Sequence, residues 1–228
     1  MRKVFFGKRE AMATFEVFPA KTPDAPVIYL NTFGGEAGKV YKHLQKTGCP
    51  DFTLVGIKDL RWDHDMTPWY CPPIMKGDSP CTGGADDYLK WMLEEVLPAA
   101  EQQVTGAPAW RGLAGYSLAG LFAVYAMFQT DTFERIASMS GSMWFPDFDE
   151  YVYSHEPVRT PDALYLSLGD KEAKTRNRYL KPVQERTEAI YEFYKNAGLN
   201  TTFVLNPGNH YLHGVERTAA GIQWILEN

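Results

Sequence analysis

Ser117, Asp170, Glu172 and His210 carry the side chains that acyl-transfer chemistry needs, in the chain order serine, acid, histidine. A hydroxyl attacks a carbonyl only when an imidazole takes its proton, and a carboxylate must orient that imidazole and stabilise its charge. Ser117 stands in Gly115-Tyr116-Ser117-Leu118-Ala119-Gly120, a G-x-S-x-A-G variant of the nucleophile elbow. Such a serine sits on a sharp strand-to-helix turn, so the residues two places either side of it lie close together and must be small. Gly115 and Ala119 meet that demand, Ala119 with one methyl in place of the usual glycine, and Gly120 lets the following helix approach the sheet. The turn projects the hydroxyl and aims the Leu118 backbone N–H at a developing oxyanion. A serine that merely caps a helix is the plain alternative. The apolar strand pattern before it and the apolar helix pattern after it favour the elbow.

The histidines are His43, His64, His155, His210 and His213. His43 falls on a surface-helix pattern, His155 in a polar stretch, and His64 in a long loop between Asp63 and Asp65. His210 follows the last strand pattern in Leu205-Asn206-Pro207-Gly208-Asn209-His210. That is the edge where open α/β sheets place their sites, so His210 is the expected base and His213 the weaker choice. The pair is not H-E-x-x-H, and no metal site is expected.

Gly169-Asp170-Lys171-Glu172 follows the preceding strand and offers two acids. Either can orient the imidazole, and either also suits a helix N-terminus. Asn31-Thr32-Phe33-Gly34-Gly35, after the second strand, can give the other oxyanion donor through the N–H of Phe33 or Thr32, although a Gly-Gly pair also reads as a plain turn. G-x-G-x-x-G is missing, and no cofactor is expected.

These residues need a scaffold, and the hydrophobic pattern supplies one. Strands are expected over 14–18, 27–31, 52–57, 110–115, 136–140, 163–168 and 201–205, and helices over 36–46, 85–103, 118–128, 182–196 and 215–226. Alternating strands and helices make βαβ units and a mostly parallel sheet with helices on both faces. The segment 58–84 is long, proline-rich and without a clear period. Loops of that length in a compact domain are functional or disordered, and its tryptophans, tyrosine and methionines argue against disorder. It leaves the functional edge of the sheet, so it is expected to cover the site. Trp62, Trp69 and Tyr70 would offer rings to an apolar or aromatic substrate group, with Trp144 facing them; a small satellite core is the competing reading.

The 228 residues suit one α/β domain with a sizeable core. A net charge of −5 without a basic cluster argues against nucleic acid as partner. The 3 cysteines form no disulfide framework; only Cys71 and Cys81, flanking the proline-rich stretch, are placed for a bridge. The stretch Met1 to Glu10 lacks the apolar run of a secretory leader, and no apolar run is long enough for a membrane span, so a cytoplasmic protein is expected.

Taken together, the motifs resemble a bacterial esterase family that includes the enterochelin esterase-like enzymes, esterase D (S-formylglutathione hydrolase) and the xylanase-associated feruloyl esterases. Ile28-Tyr29-Leu30-Asn31-Thr32-Phe33-Gly34-Gly35 is similar to the family's Y-L-x-H-G-x-G-G, with Asn31 and Thr32 departing from H-G. Asp65-Met66-Thr67-Pro68-Trp69 looks like its D-[LF]-[ST]-P-W, and Gly208-Asn209-His210 resembles its Gly-x-His. The likeness runs from about Pro26 to the C-terminal end. It implies an α/β-hydrolase fold over 1–228 and a serine-dependent carboxylic ester hydrolase acting through an acyl-enzyme. The acid in such relatives stands three residues after a glycine, which implies Glu172, with Asp170 the alternative. The expected site is then Ser117, His210 and Glu172, oxyanion N–H groups at Leu118 and Phe33, and Trp69, Trp144 and Asp65 against a small-molecule ester. A thioester hydrolase or acyltransferase with the same residues, or a binding protein of the same fold, are the alternatives.

Overall fold

The computed structural model describes residues 13–228; the stretch Met1 to Glu10, on which the leader was judged, lies outside them. Seven strands form one sheet. They are β1 (Thr14–Phe18), β2 (Val27–Asn31), β3 (Thr53–Lys58), β6 (Arg111–Tyr116), β7 (Arg135–Met139), β8 (Ala163–Gly169) and β9 (Thr201–Asn206). Their spatial order is β1-β3-β2-β6-β7-β8-β9. β1 pairs antiparallel with β3, and every other neighbour in the sheet is parallel.

The central strands are apolar on both faces because both faces are covered. Tyr29, Leu113, Ile136 and Leu166 point into one buried cluster, and Ile28, Leu30, Ala114, Ala137 and Tyr165 into the other. The second cluster is closed by α1 (Ala37–Thr47) and α8 (Gly214–Glu227). The first is closed by α5 (Leu118–Ala126), α6 (Phe148–Ser154), α7 (Val183–Asn196) and a long helix opened by α3 (Ala85–Trp91). Every residue of α5 is buried, as its uniform apolarity requires. This is the mostly parallel sheet with both faces covered that the alternating pattern predicts, in the α/β-hydrolase arrangement that the resemblance implies.

The structure adds detail that the pattern lacked. The long helix widens to a π-helical segment at Met92–Val96 before continuing as α4 (Leu97–Glu101). Pro98 lies at the start of α4 and has no N–H to give to the preceding turn, which accounts for the change of pitch there. The segment 58–84 contains a one-turn helix, α2 (Trp62–Asp65), and a hairpin of β4 (Tyr70–Cys71) with β5 (Cys81–Thr82). Cys71 and Cys81 are register partners in that hairpin, as free thiols. Helix α6 lies outside the expected elements: its buried residues, Phe148 and Val152, span one turn, too short a run to show a period. Among the described residues no helix is long and apolar enough to cross a membrane.

Candidate active site

Ser117 occupies the turn between β6 and α5 with φ 60° and ψ −125°, a conformation that is strained for a residue with a side chain. The turn is tied down on both sides: the Ser117 N–H donates to Met139 O (3.1 Å), and the Ser117 carbonyl accepts from the Gly120, Leu121 and Ser142 amides. Such a turn leaves no room for side chains beside it. A Cβ on Gly115 would lie 2.2 Å from the Ala119 carbonyl oxygen, and one on Gly120 would lie 2.8 Å from Ser138 Oγ. Ala119 itself fits and is fully buried.

His210 lies beyond β9, and its Nε2 is 3.0 Å from Ser117 Oγ. Its Nδ1 is 2.6 Å from Glu172 Oε2. An ionised carboxylate only accepts, so Nδ1 carries the proton and Nε2 is left free to accept from the serine hydroxyl. Glu172 is 5% exposed in its side chain, and its other oxygen is held as firmly as the first. Oε1 accepts from the Gly169 amide (2.7 Å), Ser140 Oγ (2.8 Å) and Arg217 Nη1 (3.2 Å). Burial alone would push the Glu172 carboxyl up. The hydrogen bond and charge of His210, then Ser140 and the Gly169 amide, outweigh it and hold the group below its usual range.

Asp170 is turned elsewhere: its Oδ1 accepts from the Gly208 amide at 2.7 Å, closing the loop that presents His210. The remaining histidines sit apart from Ser117. His213 immediately precedes α8 with positive φ, His64 Nδ1 meets Thr82 Oγ1 at 2.6 Å, His155 stacks on Tyr151, and His43 lies on α1. Of the two amides considered for the second oxyanion donor, Thr32 N–H is spent on Ile57 O (2.8 Å). The amides of Phe33 and Leu118 have no acceptor among the described residues, and both residues line the cleft beside Ser117.

That cleft has a volume of about 860 Å³. Segment 58–84 forms one of its walls through Trp62, Pro72, Ile74, Met75 and Cys81, and Trp144, Leu180 and Val183 form another part. The exposed ring of Phe33 stands edge-on to Trp62 with centroids 5.2 Å apart. Trp144 and Trp62 thus both line the cleft.

Trp69 and Asp65 do not. The Trp69 ring packs on Phe145, Phe148 and Tyr151, and its Nε1 donates to Pro146 O (3.0 Å), which makes it part of the core beneath the loop. The Asp65 side chain is 1% exposed and accepts from the Arg61 amide and guanidinium, pinning the start of α2. Both are corrections to the sequence reading. The D-x-T-P-W stretch serves the folding of the loop: Asp65 ties down the start of α2, and the Trp69 ring anchors the far end in the core. Tyr70, also expected in the cleft, is an exposed residue that does not line it.

Three residues around the site escaped sequence reasoning: Tyr116, Ser140 and Arg217. Ser140 ends the strand turn after β7 with φ 45°, so its place at the functional edge was a usable signal. Arg217 lies inside α8 and gave none. Among the described residues no group of three or more His, Cys, Asp or Glu is placed to hold a metal ion.

The comparisons agree with this architecture. Residues 29–211 match the Esterase family model, described as "Putative esterase". The Bacillus subtilis protein YbbA is 23% identical over 180 residues, covering 76% of this chain and 72% of its own. The fold is shared with an IroE-like serine hydrolase from Shewanella oneidensis (TM-score 0.79, 18% identity, 99% of this chain and 80% of the other). It is shared also with the siderophore hydrolase EstA from Aspergillus nidulans (TM-score 0.70, 20% identity, 99% and 93%). With a family match over most of its length on an α/β-hydrolase fold, the chain belongs to the esterase family and is a carboxylic ester hydrolase.

Proposed function

We propose that the protein hydrolyses small-molecule carboxylic esters through an acyl-enzyme on Ser117. The observation that carries this reading is the continuous hydrogen-bonded line Ser117 Oγ–His210–Glu172 opening onto an apolar cleft. As the Ser117 oxygen bonds to the ester carbonyl carbon, its proton passes to His210 Nε2, and Glu172 stabilises the imidazolium. The carbonyl oxygen becomes an oxyanion held by the Leu118 and Phe33 amides. Collapse of the tetrahedral intermediate breaks the carbon–oxygen bond to the alcohol, which leaves with the proton from Nε2. Water then attacks the acyl-serine by the same route, with Nε2 taking its proton and returning one to Ser117.

The rings of Phe33 and Trp62 on one side and Trp144 on the other fit an ester with an apolar or aromatic group. In this reading the segment 58–84 selects the substrate through Trp62, Ile74 and Met75. A fluorophosphonate probe followed by peptide mapping tests the assignment. The adduct is expected on Ser117 alone and is expected to abolish ester hydrolysis in step with labelling. Activity that survives full labelling, or an adduct on another serine, contradicts it.

A further inference from the structure

We propose that Arg217 is a positioning residue that locks Glu172 and the backbone of His210 into one unit and tempers the charge that Glu172 presents to the imidazole. The inference rests on the reading of Ser117, His210 and Glu172 given above. Arg217 is 3% exposed, and its guanidinium meets Glu172 at Oε1, while His210 meets the other oxygen, Oε2. Nη1 is 3.2 Å from Glu172 Oε1, 3.2 Å from the Tyr116 hydroxyl and 3.3 Å from Ser140 Oγ. Nη2 donates to the Pro207 carbonyl at 3.0 Å, on the turn that leads to His210. The Tyr116 hydroxyl in turn donates to the His210 carbonyl at 2.8 Å. One side chain of α8 therefore holds the acid, the serine neighbour that anchors the base, and the turn that carries the base.

The guanidinium packs closely against the strand end. A Cβ on Gly169 would sit 2.4 Å from the Gly208 carbonyl oxygen, 2.9 Å from Glu172 Oε1 and 3.0 Å from Nη1, so this corner has no room for a side chain beside the acid and Arg217. Stability alone gives little reason for the arrangement. A buried ion pair is commonly matched or bettered by apolar side chains of similar volume, and Arg217 Nε is buried here without a partner. What an apolar side chain cannot do is neutralise Glu172. With Arg217 present the buried pair carries no net charge before His210 takes its proton. Without it, the whole negative charge of Glu172 faces the imidazole and favours its protonated form, so less of it is free to take the serine proton near neutrality.

The other titratable groups near the imidazole are Tyr116 and Tyr211, whose rings contact it, and Asp170, bound to the Gly208 amide. Lys171 and Lys174 line the cleft from the loop after β8, and Glu36, Asp63 and Asp78 line it from the far wall. All of these are common to wild type and to Arg217 variants, so they cancel in a comparison.

The test is kcat and KM for a p-nitrophenyl ester across the pH range, for wild type, Arg217→Met and Arg217→Lys. Arg217→Met is expected to move the acid limb of kcat/KM up by about one pH unit. It should also lower kcat about tenfold or more, with KM changed by less than about threefold. Arg217→Lys keeps the charge at shorter reach. It should lower kcat several-fold and leave the acid limb within about 0.3 of a unit of wild type. An acid limb in Arg217→Met that superimposes on wild type, or a loss confined to KM, overturns the proposal. If Arg217→Met does not fold, Arg217→Lys decides: wild-type kcat or a displaced limb overturns the proposal, and a lowered kcat on an unmoved limb supports it. An active Ser117→Ala variant would instead overturn the reading beneath it.

Discussion

Glu172 Oε2 lies 2.6 Å from Nδ1 of His210, while Asp170, two positions earlier, points its carboxylate at the Gly208 amide. Both acids leave the same strand, and the turn between them sorts their roles. Asp170 braces the loop that carries His210. Glu172, whose amide bonds back to the Gly169 carbonyl at 3.0 Å, returns its longer side chain over the sheet edge to the imidazole.

Substitution separates the two acids. Glu172→Gln is expected to lower turnover by about 10⁴ by analogy with the serine-protease triad, with little change in KM. Asp170→Asn keeps an acceptor for Gly208 and is expected to retain activity within about tenfold. Steady-state kinetics of the two variants checks this, and a large loss in Asp170→Asn with a near-silent Glu172→Gln contradicts the assignment.

The depressed Glu172 carboxyl carries a pH dependence of stability whose sign is fixed. The group is held below its ordinary value of 4.5 in the fold, so its stabilisation is fully present above that value and is lost as pH falls through the folded value. Glu172→Gln removes this contribution. The difference in Tm between wild type and Glu172→Gln is therefore expected to shrink as pH drops from about 6 to about 3. Glu101, held low despite burial by the hydrogen bonds of Arg111, and Asp51, held low likewise by those of Thr22 and Lys21, remain in both proteins and cancel. A gap that stays constant or widens toward acid contradicts the burial and bonding described for Glu172.

Two tryptophans of the same region should behave in opposite ways. Trp69→Ala removes a ring packed on Phe145, Phe148 and Tyr151 and is expected to cost about 3 kcal/mol of stability, leaving the ratio of rates on aryl and short alkyl esters unchanged. Trp144→Ala, at the cleft wall, is expected to change that ratio several-fold with a smaller effect on stability. Denaturant titration beside a paired substrate assay distinguishes them.

The elbow predicts an asymmetry between its small residues. Gly115→Ala drives a methyl into the Ala119 backbone and is expected to destabilise the fold by about 3 kcal/mol or more. Ala119→Gly relieves no clash and costs only the helix propensity difference of about 1 kcal/mol. Thermal melts of the two variants check the order.

The sheet and the elbow were legible in the sequence because both are local. Continuous apolar runs mark strands covered on both faces, and Gly115, Ser117 and Ala119 state the steric needs of their turn within a few residues. Segment 58–84 was legible only as a loop that belongs at the functional edge. Whether Trp69 or Trp62 faces the cleft depends on a one-turn helix and a hairpin whose strands are two residues each, all shorter than any period. Arg217 was hidden for a different reason. A charged residue within an amphipathic helix reads as solvated surface, and only the meeting of α8 with the ends of β6, β7 and β8 turns it inward.

The most direct measurement is the turnover of Ser117→Ala on an ester that the wild type hydrolyses, with circular dichroism confirming the fold. Loss of the nucleophile is expected to lower kcat on the order of 10⁶-fold while the protein stays folded. A folded Ser117→Ala that keeps a tenth of the wild-type kcat contradicts the account.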